Sequence, residues 1–182
     1  MSWIRTLCAC VALTLTGCAN LMTSRAIDGF SKGLAKGDVN ELKQVTSKRF
    51  ADLALRLPEA GTDLKVLNLP KGKTTVLKTE NLSDDKKHVT VQVGDSAEKH
   101  QTLEYHLVRV PGETGWVVDD IFVTQSKGDK KGEVTKSVTE QMDLLLTVRE
   151  FIAAWKTGTR EEVLDITDDE LRAALADLPP PI

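Results

Sequence analysis

The spacing of apolar residues between residue 24 and Pro58 predicts three helices. In the first, the apolar positions recur at intervals of three and four, which places them on one helix face. They are Ala26, Ile27, Phe30 and Leu34. Ser24 is typical of a helix start and Gly37 of a helix end. Two shorter helices should follow, and the second should end near Pro58.

Beyond Gly61 the pattern becomes that of β-strands. Short runs rich in Val and Thr cover residues 73–82, 87–94, 101–110 and 115–124, and turn-forming residues separate them. Within the second run, Val89, Val91 and Val93 alternate with polar residues, as in a strand with one buried face. Strands joined by short turns pair antiparallel. The order predicts an α+β fold, with helices packed in a curved, cone-like antiparallel sheet.

A second helical segment follows this domain. Residues 125–135 are charged and contain glycine, which predicts a solvated linker. From residue 136 to residue 182 the pattern is helical again. Its apolar stripe consists of Val138, Met142, Leu145, Val148, Ile152 and Trp155.

The two helical segments align with each other at one offset and without gaps. Their helix-ending and capping positions coincide: Phe151 falls on Phe30, Gly158 on Gly37, Glu162 on Glu41, Thr167 on Thr46 and Pro179 on Pro58. Any two amphipathic helix pairs align passably, but these coincidences favour an internal repeat. We therefore predict one complete domain over residues 18–124 and the helical half of a truncated second copy over residues 136–182. Its apolar stripe should be covered by further strands after Ile182, by the first domain or by another subunit.

The N-terminus has the order of a secretory signal peptide. A basic Arg5 precedes an apolar run from Leu7 to Leu15, which is too short to cross a bilayer. The segment from Leu15 to Cys18 resembles the lipobox of bacterial lipoproteins, whereas an ordinary signal peptide with an incidental cysteine is the alternative. The resemblance implies removal of residues 1–17 and acylation of Cys18, for instance with palmitate, which would hold the protein on a membrane. By analogy with that family, Ala19 implies the outer membrane, facing the periplasm, rather than the inner membrane.

Composition narrows the chemistry of the folded part. Of three cysteines, Cys8 and Cys10 lie in the predicted signal and Cys18 is the predicted lipid site, so that no disulfide or cysteine nucleophile is expected. The chain has a net charge of −3, and losing Arg5 makes it one unit more negative. With 4% aromatic residues and no basic stripe, it is a poor candidate for binding nucleic acid.

The order of elements resembles the nuclear transport factor 2-like superfamily. The likeness rests on residues 30–50 and on the segment from Gly115 to Ile121, which resembles the last strand of many such domains. Members include isomerases, dehydratases and non-enzymatic modules, so fold does not decide function. Tyr105, Trp116 and Asp120 are the candidate pocket residues. An isomerase would need a carboxylate base in an apolar pocket, but Asp119 and Asp120 equally suit a turn, a sheet edge or a helix cap.

No cofactor or metal site is expected from the sequence. His88 and His106 fall at the polar positions of their alternating strands, and His100 lies in a turn region. We therefore expect all three histidine side chains to be solvated rather than to bind a metal ion. We expect a membrane-anchored, non-enzymatic module that binds a protein partner or a small apolar ligand. The alternative is a small-molecule isomerase or dehydratase built on the same scaffold.

Overall fold

The computed structural model describes residues 21–96, 99–112, 115–126 and 133–176. The predicted signal peptide and Cys18 lie outside these residues, as do most of the predicted linker and the prolines near the C-terminus. Of the helices in the described residues, none combines the length and apolar composition that crossing a bilayer requires.

Within the described residues, four helices precede the sheet. Helix α1 covers residues 21–36, and α2 (Val39–Val45), α3 (Lys48–Ala54) and α4 (Ala60–Val66) follow. Gly37 has a φ of 72°, which suits glycine and allows the chain to turn out of α1. The side chains of Asp38 and Ser47 cap α2 and α3 by accepting backbone N–H groups. Helix α4 was not predicted, because it lies beyond Pro58 and contains Gly61, which the sequence analysis took as the start of the strand region.

A five-stranded antiparallel sheet follows, with the strands in sequence order. They are β1 (Thr74–Asn81), β2 (Lys86–Ser96), β3 (Lys99–Arg109), β4 (Trp116–Ser126) and β5 (Glu133–Ser137). The predicted α+β fold, with helices packed against a curved antiparallel sheet, is confirmed. Within the predicted linker, residues 125–126 belong to β4 and residues 133–135 belong to the edge strand β5, which pairs with β4.

Three helices complete the described chain: α5 (Val138–Thr157), α6 (Arg160–Asp165) and α7 (Asp169–Ala176). Helix α5 packs against α3 and places Val138, Met142 and Leu146 in the core of the first domain. The predicted apolar stripe is therefore covered only at its start, and Val148 and Ile152 remain 47% and 46% exposed.

Polar contacts hold α5 to α4 and to the end of α3. The Arg56 guanidinium, just after α3, donates to Asp143 at 2.6 Å and to Glu150 at 3.0 and 3.1 Å. Arg149 donates to the buried Asp63 of α4 at 2.8 Å. Because both cations lie between helices distant in sequence, they fix where α5 sits.

The two helical segments have matching helix boundaries. The spacing from the start of α2 to the start of α6 equals the spacing from Phe30 to Phe151, and the same holds from α3 to α7. Their surroundings differ, since Phe50 of α3 is fully buried whereas Leu171 of α7 is 44% exposed.

The core lies between the helices and the inner face of the sheet. Phe30 of α1 makes edge-to-face contacts with Phe50 of α3 at 5.6 Å and with Tyr105 of β3 at 6.3 Å between ring centroids. This places Tyr105 on the inner face, and the alternation of β3 turns Glu104 and His106 to the outer face.

Candidate functional site

A cavity of about 550 Å³ opens between α1, the loop before β1 and the inner face of β1 to β3. Most of its wall is apolar, because the inner face of the sheet meets the apolar residues Leu69 and Pro70 of the loop there. The apolar lining residues are Leu34, Ala35, Leu69, Pro70, Val93 and Leu103. A volume of this size is typical of sites for small molecules.

Tyr105 provides the buried polar group in the cavity wall. Its side chain is 3% exposed, and its hydroxyl is hydrogen-bonded to the side chain of Ser31 on α1. Burial raises the pKa of Tyr105 to about 12, and the Asp28 carboxylate adds to this while the bond to Ser31 opposes it. The hydroxyl therefore stays protonated near neutral pH and acts as a hydrogen-bonding group rather than as a base.

Charged side chains surround the cavity mouth. Lys32, Lys71 and Lys73 line it together with Asp28, and all four residues are exposed. The excess of cations over anions favours a ligand whose outer end is negatively charged.

Trp116 lies on the inner face of the sheet but outside this cavity. Its ring packs between the Lys87 ammonium, 3.9 Å from the ring centroid, and the Arg109 guanidinium at 4.7 Å. Lys87 is buried and donates to the hydroxyl of Thr23 on α1. Burial, together with the nearby Arg109, lowers the pKa of Lys87 to about 8.

Asp120 is a helix cap rather than a pocket residue. The register between β3 and β4 shifts after His106, and the resulting bulge at Asp119 breaks the alternation of β4. The Asp120 carboxylate accepts from the Ser137 hydroxyl at 2.7 Å and from Thr139 N–H at 3.2 Å, at the start of α5. It also accepts from the N–H of Ile121 at 2.7 Å.

The structure therefore does not bring Tyr105, Trp116 and Asp120 together in this cavity. Tyr105 lines the cavity, whereas Trp116 packs between two cations and Asp120 caps α5. The prediction assumed an unbroken strand with both residues facing Tyr105, and the bulge at Asp119 could not be read from the sequence.

A histidine pair that the sequence analysis treated as separate solvated side chains lies on the outer face. His88 and His106 are direct cross-strand partners, and their rings stack with centroids 3.6 Å apart and planes 6° apart. Glu104 Oε1 lies 2.7 Å from His106 Nε2 and 3.4 Å from His88 Nδ1. The signal that could have revealed the pair is the register of the β2–β3 hairpin, which the alternating pattern leaves undefined.

We compared the chain with protein-family patterns, with characterised proteins and with solved structures, and none of them matches it. The resemblances to bacterial lipoproteins and to the nuclear transport factor 2-like superfamily stay predictions from the sequence.

Proposed function

We propose that this protein is a membrane-anchored envelope lipoprotein whose α+β domain binds a small, mostly apolar ligand with an anionic end, without converting it chemically. The observation that carries the proposal is the apolar cavity with the Tyr105 hydroxyl in its wall.

Three features of the cavity lining match such a ligand. Its apolar wall would bury the body of the ligand, which is the main source of affinity in small-molecule sites. The Ser31 and Tyr105 pair offers hydrogen-bonding groups that would orient the ligand. The exposed Lys71 and Lys73 at the mouth would attract its anionic end.

The arrangement of carboxylates favours binding over isomerase chemistry. The Asp120 carboxylate is occupied by the cap of α5, and Asp28 is an exposed residue at the cavity mouth. Asp120 is buried among hydrogen-bond donors and Asp28 is exposed, whereas a base of that class would need to be a carboxylate buried in an apolar environment.

The predicted anchor would hold the cavity close to a membrane surface. Residue 21, the first one described, is already helical and follows Cys18 by three positions, a span of at most about 10 Å. Ser31 lies ten residues further along α1, which adds about 15 Å. An amphiphile that leaves the membrane would thus reach the cavity over a short distance.

The test uses decanoate as the probe and isothermal titration calorimetry as the measurement. The protein is the unacylated chain 18–182 with Cys18→Ser, which contains all the described residues. Ala35→Trp, on the exposed surface of α1 at the cavity, should fill the site and weaken decanoate binding at least about tenfold. Ala153→Trp, at an exposed position of α5, is the matched control and should bind as the parent does.

The charge of the ligand is tested separately. Replacing both Lys71 and Lys73 with Gln should weaken decanoate binding while leaving binding of the neutral decanol unchanged. Failure of the parent chain to bind either probe, or equal binding by the Ala35→Trp variant, would refute the proposed site.

A further inference from the structure

The outer face of the sheet carries a compact set of metal-ligating side chains on neighbouring strands. His88 of β2 faces His106 of β3 across the strands, and Glu104 lies one pleat away from His106 on the same face. One nitrogen from each histidine and one carboxylate oxygen all lie within 4.8 Å of one another. All three side chains are half-buried, with exposures of 28%, 26% and 45% for His88, His106 and Glu104.

We propose that His88, His106 and Glu104 bind a first-row divalent transition-metal ion, with Zn²⁺ as the best fit. Two imidazole nitrogens and one carboxylate oxygen, with one position left for water, form a ligand set that Zn²⁺ commonly takes. Mg²⁺ and Ca²⁺ prefer sites made of oxygen ligands alone, and they are poor matches for two histidines.

The spacing of the ligand atoms fits an ion of this size. Zinc–ligand bonds of about 2.0–2.1 Å in tetrahedral geometry place ligand atoms about 3.3 Å apart. The separation of 3.4 Å between His88 Nδ1 and Glu104 Oε1 already agrees with this. The hydrogen bond of 2.7 Å between His106 Nε2 and Glu104 Oε1 would open by about 0.6 Å. The stacked imidazole rings would also tilt out of their parallel arrangement, because a metal ion binds in the plane of each ring. Both changes require only side-chain rotation, while the strand pairing holds the three backbones in place.

The surroundings of the cluster hold the ligands in position. The ring of Phe122, on β4 opposite Glu104, packs on His106 with ring centroids 4.4 Å apart. On the other side, Glu80 lies across from His88 on β1 and pairs with the Lys78 ammonium. Because the Lys78 ammonium pairs with Glu80, Glu104 is left to the two histidines.

The proposed metal site is separate from the cavity. The three ligands occupy the outer face of β2 and β3, whereas Tyr105, between Glu104 and His106 in sequence, faces the inner side. Metal binding would cross-link β2 and β3 without entering the cavity, so it can be tested apart from decanoate binding.

The test measures binding of Zn²⁺, and of Co²⁺ as a spectroscopic substitute, to the same unacylated chain prepared without a polyhistidine tag. We expect one ion per chain, Co²⁺ absorption bands typical of a site with nitrogen and oxygen ligands, and a higher melting temperature with Zn²⁺. His88→Gln, His106→Gln and Glu104→Gln should each weaken Zn²⁺ binding at least about tenfold, as loss of even an outer-shell partner does.

His100→Gln is the matched control, since His100 is exposed at the start of β3 and outside the cluster. It should bind Zn²⁺ as the parent does, and circular dichroism should show all four variants folded. Absence of saturable Zn²⁺ binding to the parent would overturn the proposal. A double variant, with both His88 and His106 replaced by Gln, would overturn it as well if it bound Zn²⁺ as the parent does.

Discussion

Replacing Asp120 with alanine tests how the sheet holds the second helical segment. The carboxylate is 3% exposed and joins β4 to the first turn of α5 by accepting from the Ser137 hydroxyl and the Thr139 N–H. Removing it leaves the Thr139 N–H without that acceptor in a buried position. The Ser137 hydroxyl keeps a partner, because the Thr139 hydroxyl lies 2.9 Å away.

Two contributions set the size of the effect. The buried Thr139 N–H and the buried Ile121 N–H both lose this acceptor, and leaving a buried donor unsatisfied costs about 1–3 kcal/mol. We therefore expect Asp120→Ala to lower the free energy of unfolding by about 2–4 kcal/mol. Asp120→Asn retains an acceptor oxygen but loses the negative charge at the start of α5, so its loss should be about half as large.

Urea unfolding followed by circular dichroism measures these losses. Asp52→Ala is the control, because Asp52 is exposed and forms an ion pair with the exposed Lys48. Its removal should change the free energy of unfolding little. Folded Asp120→Ala should still bind decanoate as the parent does. A loss below about 1 kcal/mol for Asp120→Ala would show that the carboxylate does not hold α5 to the sheet.

Three further predictions concern the anchor and the cluster around Trp116. Cys18→Ser in the full precursor should release the protein from membranes or leave it uncut, and processed protein that fractionates with membranes as before would contradict acylation. Trp116→Ala should cost about 3–5 kcal/mol in urea unfolding, because the ring is 8% exposed; a loss below about 1 kcal/mol would contradict its packing role. The pKa of Lys87 is about 8 in the folded protein against 10.5 as its ordinary value. The unfolded chain therefore binds more protons between these pH values, and stability should rise with pH across that window. Lys87→Met should flatten the rise, and an unchanged slope in that variant would show that another group causes it.

The alternating pattern of the sequence was sufficient to predict most strands of the sheet. The four predicted runs correspond to β1 to β4 with shifts of at most two residues at any end. Strand β5 was missed because Glu133–Ser137 is a short segment whose place in the sheet comes from pairing with β4. A short edge strand has too few alternating positions to stand out from a charged linker.

The candidate site was predictable only in part. Tyr105 faces the interior as the alternation of β3 requires, yet its place in a cavity wall depends on the loop before β1 and on α1. Asp120 was assigned to the pocket because an unbroken alternation of β4 was assumed, and the bulge at Asp119 interrupts that alternation. The helix-cap interpretation of Asp120 agrees with its contacts, but the helix it caps starts 18 positions further along the chain.

The sequence by itself determined the features that arise within a few residues. The helical period around Phe30, the end of α1 at Gly37 and the alternation of β2 and β3 all follow from local sequence, since burial repeats with the geometry of each element. The tertiary structure alone decided which distant residues meet. His88 faces His106, and Asp120 reaches Ser137, because hairpin register and one bulge set those positions. A shift of register by one residue would turn a strand's side chains to the opposite face, so neither contact is encoded in any single segment.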